Sequence, residues 1–169
     1  MYKYLLSFCI LLVLQSCAPS IVPLRGKYQQ GSIKSKIEKP FEQVWESVID
    51  LIAETGVSVK MIDRSSGLII ADVASFAGLL SYEDTKGNLT NPAAYIAVER
   101  ISSEFPSSVA RYQASAIWNM RVKAIGDNTT ILSVNLHSIR IEKAVLPLNG
   151  QSTGNFEKML IDEIVDGVE

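Results

Sequence analysis

Apolar and polar positions alternate with a period of two over the longest patterned stretch of this chain. Ala110, Tyr112, Ala114, Ala116, Trp118, Met120, Val122 and Ala124 fall on one side, and Arg111, Gln113, Ser115, Asn119, Arg121 and Lys123 on the other. That period is a strand's, with one face toward a core. Gly126-Asp127-Asn128 turns the chain, and Thr129 to Glu142 returns with Leu132, Val134 and Leu136 in phase. Ile139 and Ile141 are out of phase, which predicts a bulge or a twist near His137 to Ser138.

The period changes to three and four between Pro40 and Gly56. Phe41, Val44, Trp45, Val48, Leu51 and Ile52 make one apolar stripe. Pro40 suits a first helical turn, and Gly56 suits a left-handed stop. Phe156, Met159, Leu160, Ile164 and Val168 predict a second, closing helix, capped by Ser152 or Thr153. Ile33 to Ile37 alternates as a strand. Val57–Asp63 and Leu68–Val73 read as a hairpin around Asp63-Arg64-Ser65-Ser66-Gly67. Tyr95 to Val98 is a further short strand, inside an insertion spanning 74–108.

Two amphipathic helices must bury their stripes, and the apolar face of an antiparallel sheet is the available partner. The expected fold is therefore α+β. It is a two-layer sandwich in which a curved antiparallel sheet packs against two amphipathic helices.

The amino terminus has a different pattern. Met1-Tyr2-Lys3-Tyr4 is followed by an almost unbroken apolar run from Leu5 to Leu14, too short to span a bilayer. It has the layout of a cleaved export signal. Leu14-Gln15-Ser16-Cys17 resembles the lipobox of bacterial lipoproteins. That resemblance implies removal of residues 1–16 and lipidation of Cys17 with diacylglycerol and an N-acyl chain. The competing reading is a plain secretory signal that ends in Cys by coincidence. Ala18, not Asp, follows the Cys, which by the same resemblance points to the outer membrane. Residues 17–31 read as a tether, and 32–169 as a single domain.

The chain carries 16 basic and 18 acidic side chains. That mild acidity argues against a nucleic-acid surface, which needs a basic stripe. Cys9 and Cys17 are its only cysteines, and Cys9 lies in the signal. No disulfide is then possible in the processed chain, so stability must come from a core. One His and no free Cys make a poor stock of metal ligands, and no cofactor or metal site is expected.

Pro40-Phe41-Glu42-Gln43-Val44-Trp45 and Asp63-Arg64-Ser65-Ser66-Gly67-Leu68-Ile69 resemble the opening of a class of bacterial envelope lipoprotein domains. Domains of this class occur in a lipoprotein of the outer-membrane β-barrel assembly machine. The resemblance implies a helix-grip-like topology. It does not carry over a role in barrel assembly, because only one such domain is present.

No nucleophile elbow, zinc-protease motif, phosphate-cradling glycine loop or dinucleotide fingerprint occurs. His137 falls on the polar strand face. Asp63 with Asp72, and Asp162 with Glu163, read as turn caps and a solvated helix face. Trp45 and Trp118 read as core anchors meeting between helix and sheet. Arg111, Arg121 and Lys123 form a basic strip, read either as a polar face balanced by Glu99 and Glu142 or as a surface for an anionic partner. The expected role is a non-enzymatic binding or accessory module, anchored to the membrane by its lipid and presenting its sheet or its insertion to an envelope protein. The alternative is a carrier of a small apolar ligand, with Ala110, Ala114, Ala116 and Ala124 leaving room in the core.

Overall fold

The structure is a computed structural model that describes residues 19–102, 109 and 111–168. The signal, with Leu14, Gln15, Ser16 and Cys17, lies outside the described residues, as does Ala110. In chain order the elements are β1 (Ile21–Val22), β2 (Ile33–Ile37), α1 (Phe41–Thr55), β3 (Val59–Asp63), β4 (Leu68–Ala71), β5 (Ala74–Ser75) and β6 (Leu80–Ser81). They continue as β7 (Ile96–Val98), β8 (Arg100–Ile101), β9 (Gln113–Gly126), β10 (Thr129–Glu142), β11 (Gly150–Ser152) and α2 (Asn155–Asp166).

The main sheet is antiparallel and runs β2-β10-β9-β4-β3, with β5 pairing to β9 beyond the end of β4. Its spine is the β9–β10 hairpin. The inward residues Ala114, Ala116, Trp118, Met120 and Val122 are all buried, as are Leu132, Val134 and Leu136 opposite them. The ladder slips between His137 and Arg140, and Ser138 has a positive φ of 55°. This is the predicted bulge, and it lets Ile139 and Ile141 pack against the core despite their changed phase.

Both helices cover the inner sheet face, giving the two-layer α+β sandwich. Helix α1 runs from Pro40 to a left-handed Gly56 at φ 64°. It buries Val44, Trp45 and Val48. Helix α2 buries Phe156, Leu160, Ile161 and Ile164. Its start differs from expectation. Gly154 is the N-cap, and neither Ser152 nor Thr153 caps α2 from the N-cap position. Ser152 instead belongs to β11, and its hydroxyl donates to the wholly buried carboxylate of Glu157. The two tryptophans are buried but engage different rings. Trp45 stacks on Phe41 at 5.7 Å, and Trp118 lies 6.3 Å from Phe156.

The insertion and the amino-terminal segment are both built into the fold, and the expected strand at Tyr95 to Val98 is β7. Within the insertion, β6 and β7 join β11 in a second sheet of order β11-β7-β6. Asn155 Nδ2 donates to the Pro92 and Ala94 carbonyls, stitching the insertion to the start of α2. The described part of the expected tether is also docked. Ile21–Val22 pairs with Arg100–Ile101. Further along, the Glu83 carboxylate accepts hydrogen bonds from the Arg25 and Gly26 amides and the Tyr28 hydroxyl. A buried carboxylate has to be satisfied by donors, and this segment supplies them.

Candidate functional site: an apolar cavity and a basic groove on opposite sheet faces

Between the layers lies an apolar cavity of about 310 Å³. Sheet, helices and insertion each contribute a wall. Trp118 and Met120 come from β9, and Leu51 and Ile52 from the last turns of α1. Phe156, Met159 and Leu160 come from α2, and Ala74, Phe76 and Tyr95 from the insertion. Phe156 is the hub of the aromatic lining. It meets Phe76 edge-on at 5.2 Å and Tyr95 at 5.6 Å, with Trp118 beyond. Such edge-to-face and tilted pairs suit the ring quadrupole and fix the wall. The exposed lining residues Thr55, Ser75, Leu79 and Glu163 mark the mouth.

Those of the expected alanines that are described are not what makes this space. Ala114 and Ala116 are buried but do not line it, and Ala124 is exposed near the hairpin tip. The space is bounded by residues of the insertion, α1, α2 and β9. The Phe76 amide donates to the Ala114 carbonyl and the Tyr95 amide to the Leu79 carbonyl, so both aromatic rings are anchored through their backbones. A strand-by-strand reading of the sequence could not show this, because the wall is assembled from four separate segments.

The opposite sheet face carries a groove of about 490 Å³. Arg121 and Lys123 line it, but Arg111 precedes β9, is exposed, and does not take part. Lys34 of β2 takes its place. It is brought there by register, since Lys34 pairs with Ser133 and Ser133 with Arg121. The balancing acids are elsewhere. Glu99 accepts from Asn149, and Glu142 from Ser115. His137 sits in a side-chain hydrogen-bond chain between Asn119 and Ser138, with no acid and no nucleophile arranged as a triad. Asp63 caps its turn by accepting from Ser65 and Ser66, whose hydrogen bonds hold its carboxyl below the usual range. Among the described residues no three His, Cys, Asp or Glu side chains cluster as metal ligands would. No described helix is long and apolar enough to cross a membrane.

No family model matches the chain, and no curated protein matches it. Among solved structures it aligns with a START superfamily protein from Mycobacterium smegmatis at 13% identity, covering 81% of this chain and 89% of that one, with a TM-score of 0.28. It also aligns with the Zhui aromatase/cyclase from Streptomyces sp. R1128 at 12% identity, covering 89% and 92%, with a TM-score of 0.31. A conserved protein from Geobacillus kaustophilus aligns at 12% identity, covering 82% and 91%, also at 0.31. Likeness at this level carries no function to this chain. The findings nevertheless correct the expected resemblance to the barrel-assembly lipoprotein. The aligned structures include a START superfamily protein and an aromatase/cyclase and none of those reported is that lipoprotein, and no family model links the chain to it. The motifs behind the resemblance have local causes: Gly67 is required by a close approach to β9, and Asp63 by its turn. Any sheet-and-helix domain with such a hairpin would show them.

Proposed function

We propose that this protein is a non-enzymatic carrier of a small apolar ligand, held between the sheet and the two helices. One observation carries the reading: an apolar, aromatic-walled cavity whose exposed polar groups sit at its mouth. At about 310 Å³ the cavity falls at the small end of ligand pockets, which run from roughly 300 to 1,000 Å³. Nothing on the wall pairs a nucleophile with a base, which favours carriage over chemistry. The insertion that could have served as a loop for a protein partner is used as a wall of the cavity, which weighs against the accessory-module reading.

We further infer that carriage takes place at a membrane, with the domain tethered through a lipid on Cys17 and facing the cell envelope, at the outer membrane. Leu14-Gln15-Ser16-Cys17 and the apolar run before it support this inference.

Native mass spectrometry of the gently purified domain tests carriage. A bound apolar mass, lost on denaturation, is the expected result, and a bare protein mass from every preparation would overturn it. Palmitate labelling tests the anchor: label on the native chain and none on Cys17→Ala is expected, and an unlabelled native chain would refute it.

A further inference from the structure

The groove on the outer sheet face shares no lining residue with the apolar cavity, so its chemistry stands apart from the carrier reading. Three cations line it, Lys34, Arg121 and Lys123, and no carboxylate does. The chain as a whole is acidic, so this local balance runs against the composition. The described salt bridges are Lys36 with Glu38 and Arg64 with Glu42, and neither uses a groove cation. Strands lie about 4.8 Å apart, which places the backbones of Lys34 and Arg121 roughly 10 Å apart across β10. Long cationic side chains from both sides can therefore meet over Ser133. Ser32, Ser133 and Asn135 add polar groups with no side-chain hydrogen bond of their own among those described. Leu68, Ile125 and Ile131 supply an apolar floor, and Ile125 is half exposed.

Lys34 lies two strands from Arg121 and Lys123 two residues along β9, so the three like charges face one groove with no lining carboxylate and repel one another when left alone. An occupant with several anionic oxygens would remove that cost. The guanidinium of Arg121 matches paired oxygens, and the two ammonium groups add point charge. From this geometry we propose that the groove binds a phosphoryl group carried on a molecule with an apolar portion, the phosphate held by Lys34, Arg121 and Lys123 and the apolar portion lying on Ile125 and Ile131.

In a Cys17→Ala background, which keeps an acyl anchor from carrying every sample to the vesicles, the full chain would be compared with a variant carrying Lys34→Gln, Arg121→Gln and Lys123→Gln. A charge-matched control would carry Lys27→Gln, Lys86→Gln and Lys158→Gln, all at exposed positions outside the groove. Calorimetric titration with octyl phosphate probes a free phosphorylated ligand. Flotation with phosphatidylglycerol vesicles, against phosphatidylcholine vesicles, probes a lipid headgroup. Binding in either arm should weaken on the order of a hundredfold in the groove variant. It should stay near the native value in the control. Octyl phosphate binding identifies a free ligand as the source, and binding to phosphatidylglycerol alone identifies a headgroup. Binding in neither arm, or an equal loss in both variants, would overturn the proposal. Retention of an apolar mass in the cavity is read separately, so failure here leaves the carrier reading standing.

Discussion

The Tyr28 hydroxyl donates to Glu83 Oε1 at 2.6 Å, joining the amino-terminal segment to a carboxylate buried in the insertion. The Gly26 amide shares the same oxygen at 2.7 Å, and the Arg25 amide takes the other at 2.8 Å. Burial works against ionisation of Glu83. The Tyr28 and backbone hydrogen bonds and the Arg25 charge outweigh it and hold the carboxyl below its usual range. Burial, with the carboxylate beside it, pushes the Tyr28 phenol well above its ordinary value.

A depressed folded pKa stabilises the clasp above the unfolded glutamate value of about 4.3, and that contribution is lost as pH falls through the lower folded value. Hydrogen exchange should show residues 25–29 protected at pH 6 and deprotected in strong acid before the β9–β10 hairpin opens. Glu83→Gln should show the deprotection at pH 6, with a local loss of about 2 kcal/mol, because an amide donor then faces donors. Unchanged protection in that variant would mean the clasp contributes nothing.

Gly67 answers to a different constraint. Its φ is +68°, and a Cβ there would lie 1.9 Å from the Val122 carbonyl oxygen. The Val122 amide also donates to the Gly67 carbonyl at 2.9 Å, so the turn cannot move away freely. Gly67→Ala should cost on the order of 3 kcal/mol, combining left-handed strain with the clash. Gly56→Ala has a similar φ of +64° but nothing within 4 Å, and should cost about 1 kcal/mol. Urea unfolding of the two variants checks the difference, and equal losses would refute the close-approach argument.

These positions mark where the sequence is legible. The β9–β10 hairpin, its bulge and both helices follow from periodicity, because each buries one face against one partner. Lys34 in the groove and Glu83 in the clasp were not readable. The first depends on cross-strand register, and the second on a loop folding over a segment more than fifty residues earlier. Glu157 was hidden for a related reason. It lies within the stripe-bearing helix, and only the path of β11 brings Ser152 to it.

Glu157 is completely buried, and both its oxygens accept from Ser152 Oγ, at 2.9 and 2.8 Å. The Leu136 amide also donates to it at 3.2 Å. Glu157→Ala strands that amide and the hydroxyl, and should cost roughly 3 kcal/mol. Glu157→Gln keeps an acceptor for Leu136 and should cost about half as much. Chemical denaturation midpoints check the order, and an alanine variant as stable as native would show that water satisfies both groups.

Trp118 lines the apolar cavity, whereas Trp45 stacks on Phe41 and does not line it. Energy transfer from tryptophan to a bound naphthylamine dye therefore reports on the central claim. The carrier account predicts saturable one-to-one dye binding with strong transfer. Trp118→Phe should lower the transfer, leaving the share that Trp45 supplies from about 10 Å along α1, while binding, read by direct excitation, persists. Ala74→Phe, which fills the cavity, should abolish the binding itself. Dye uptake that does not saturate, or that Ala74→Phe leaves unchanged, would contradict the account.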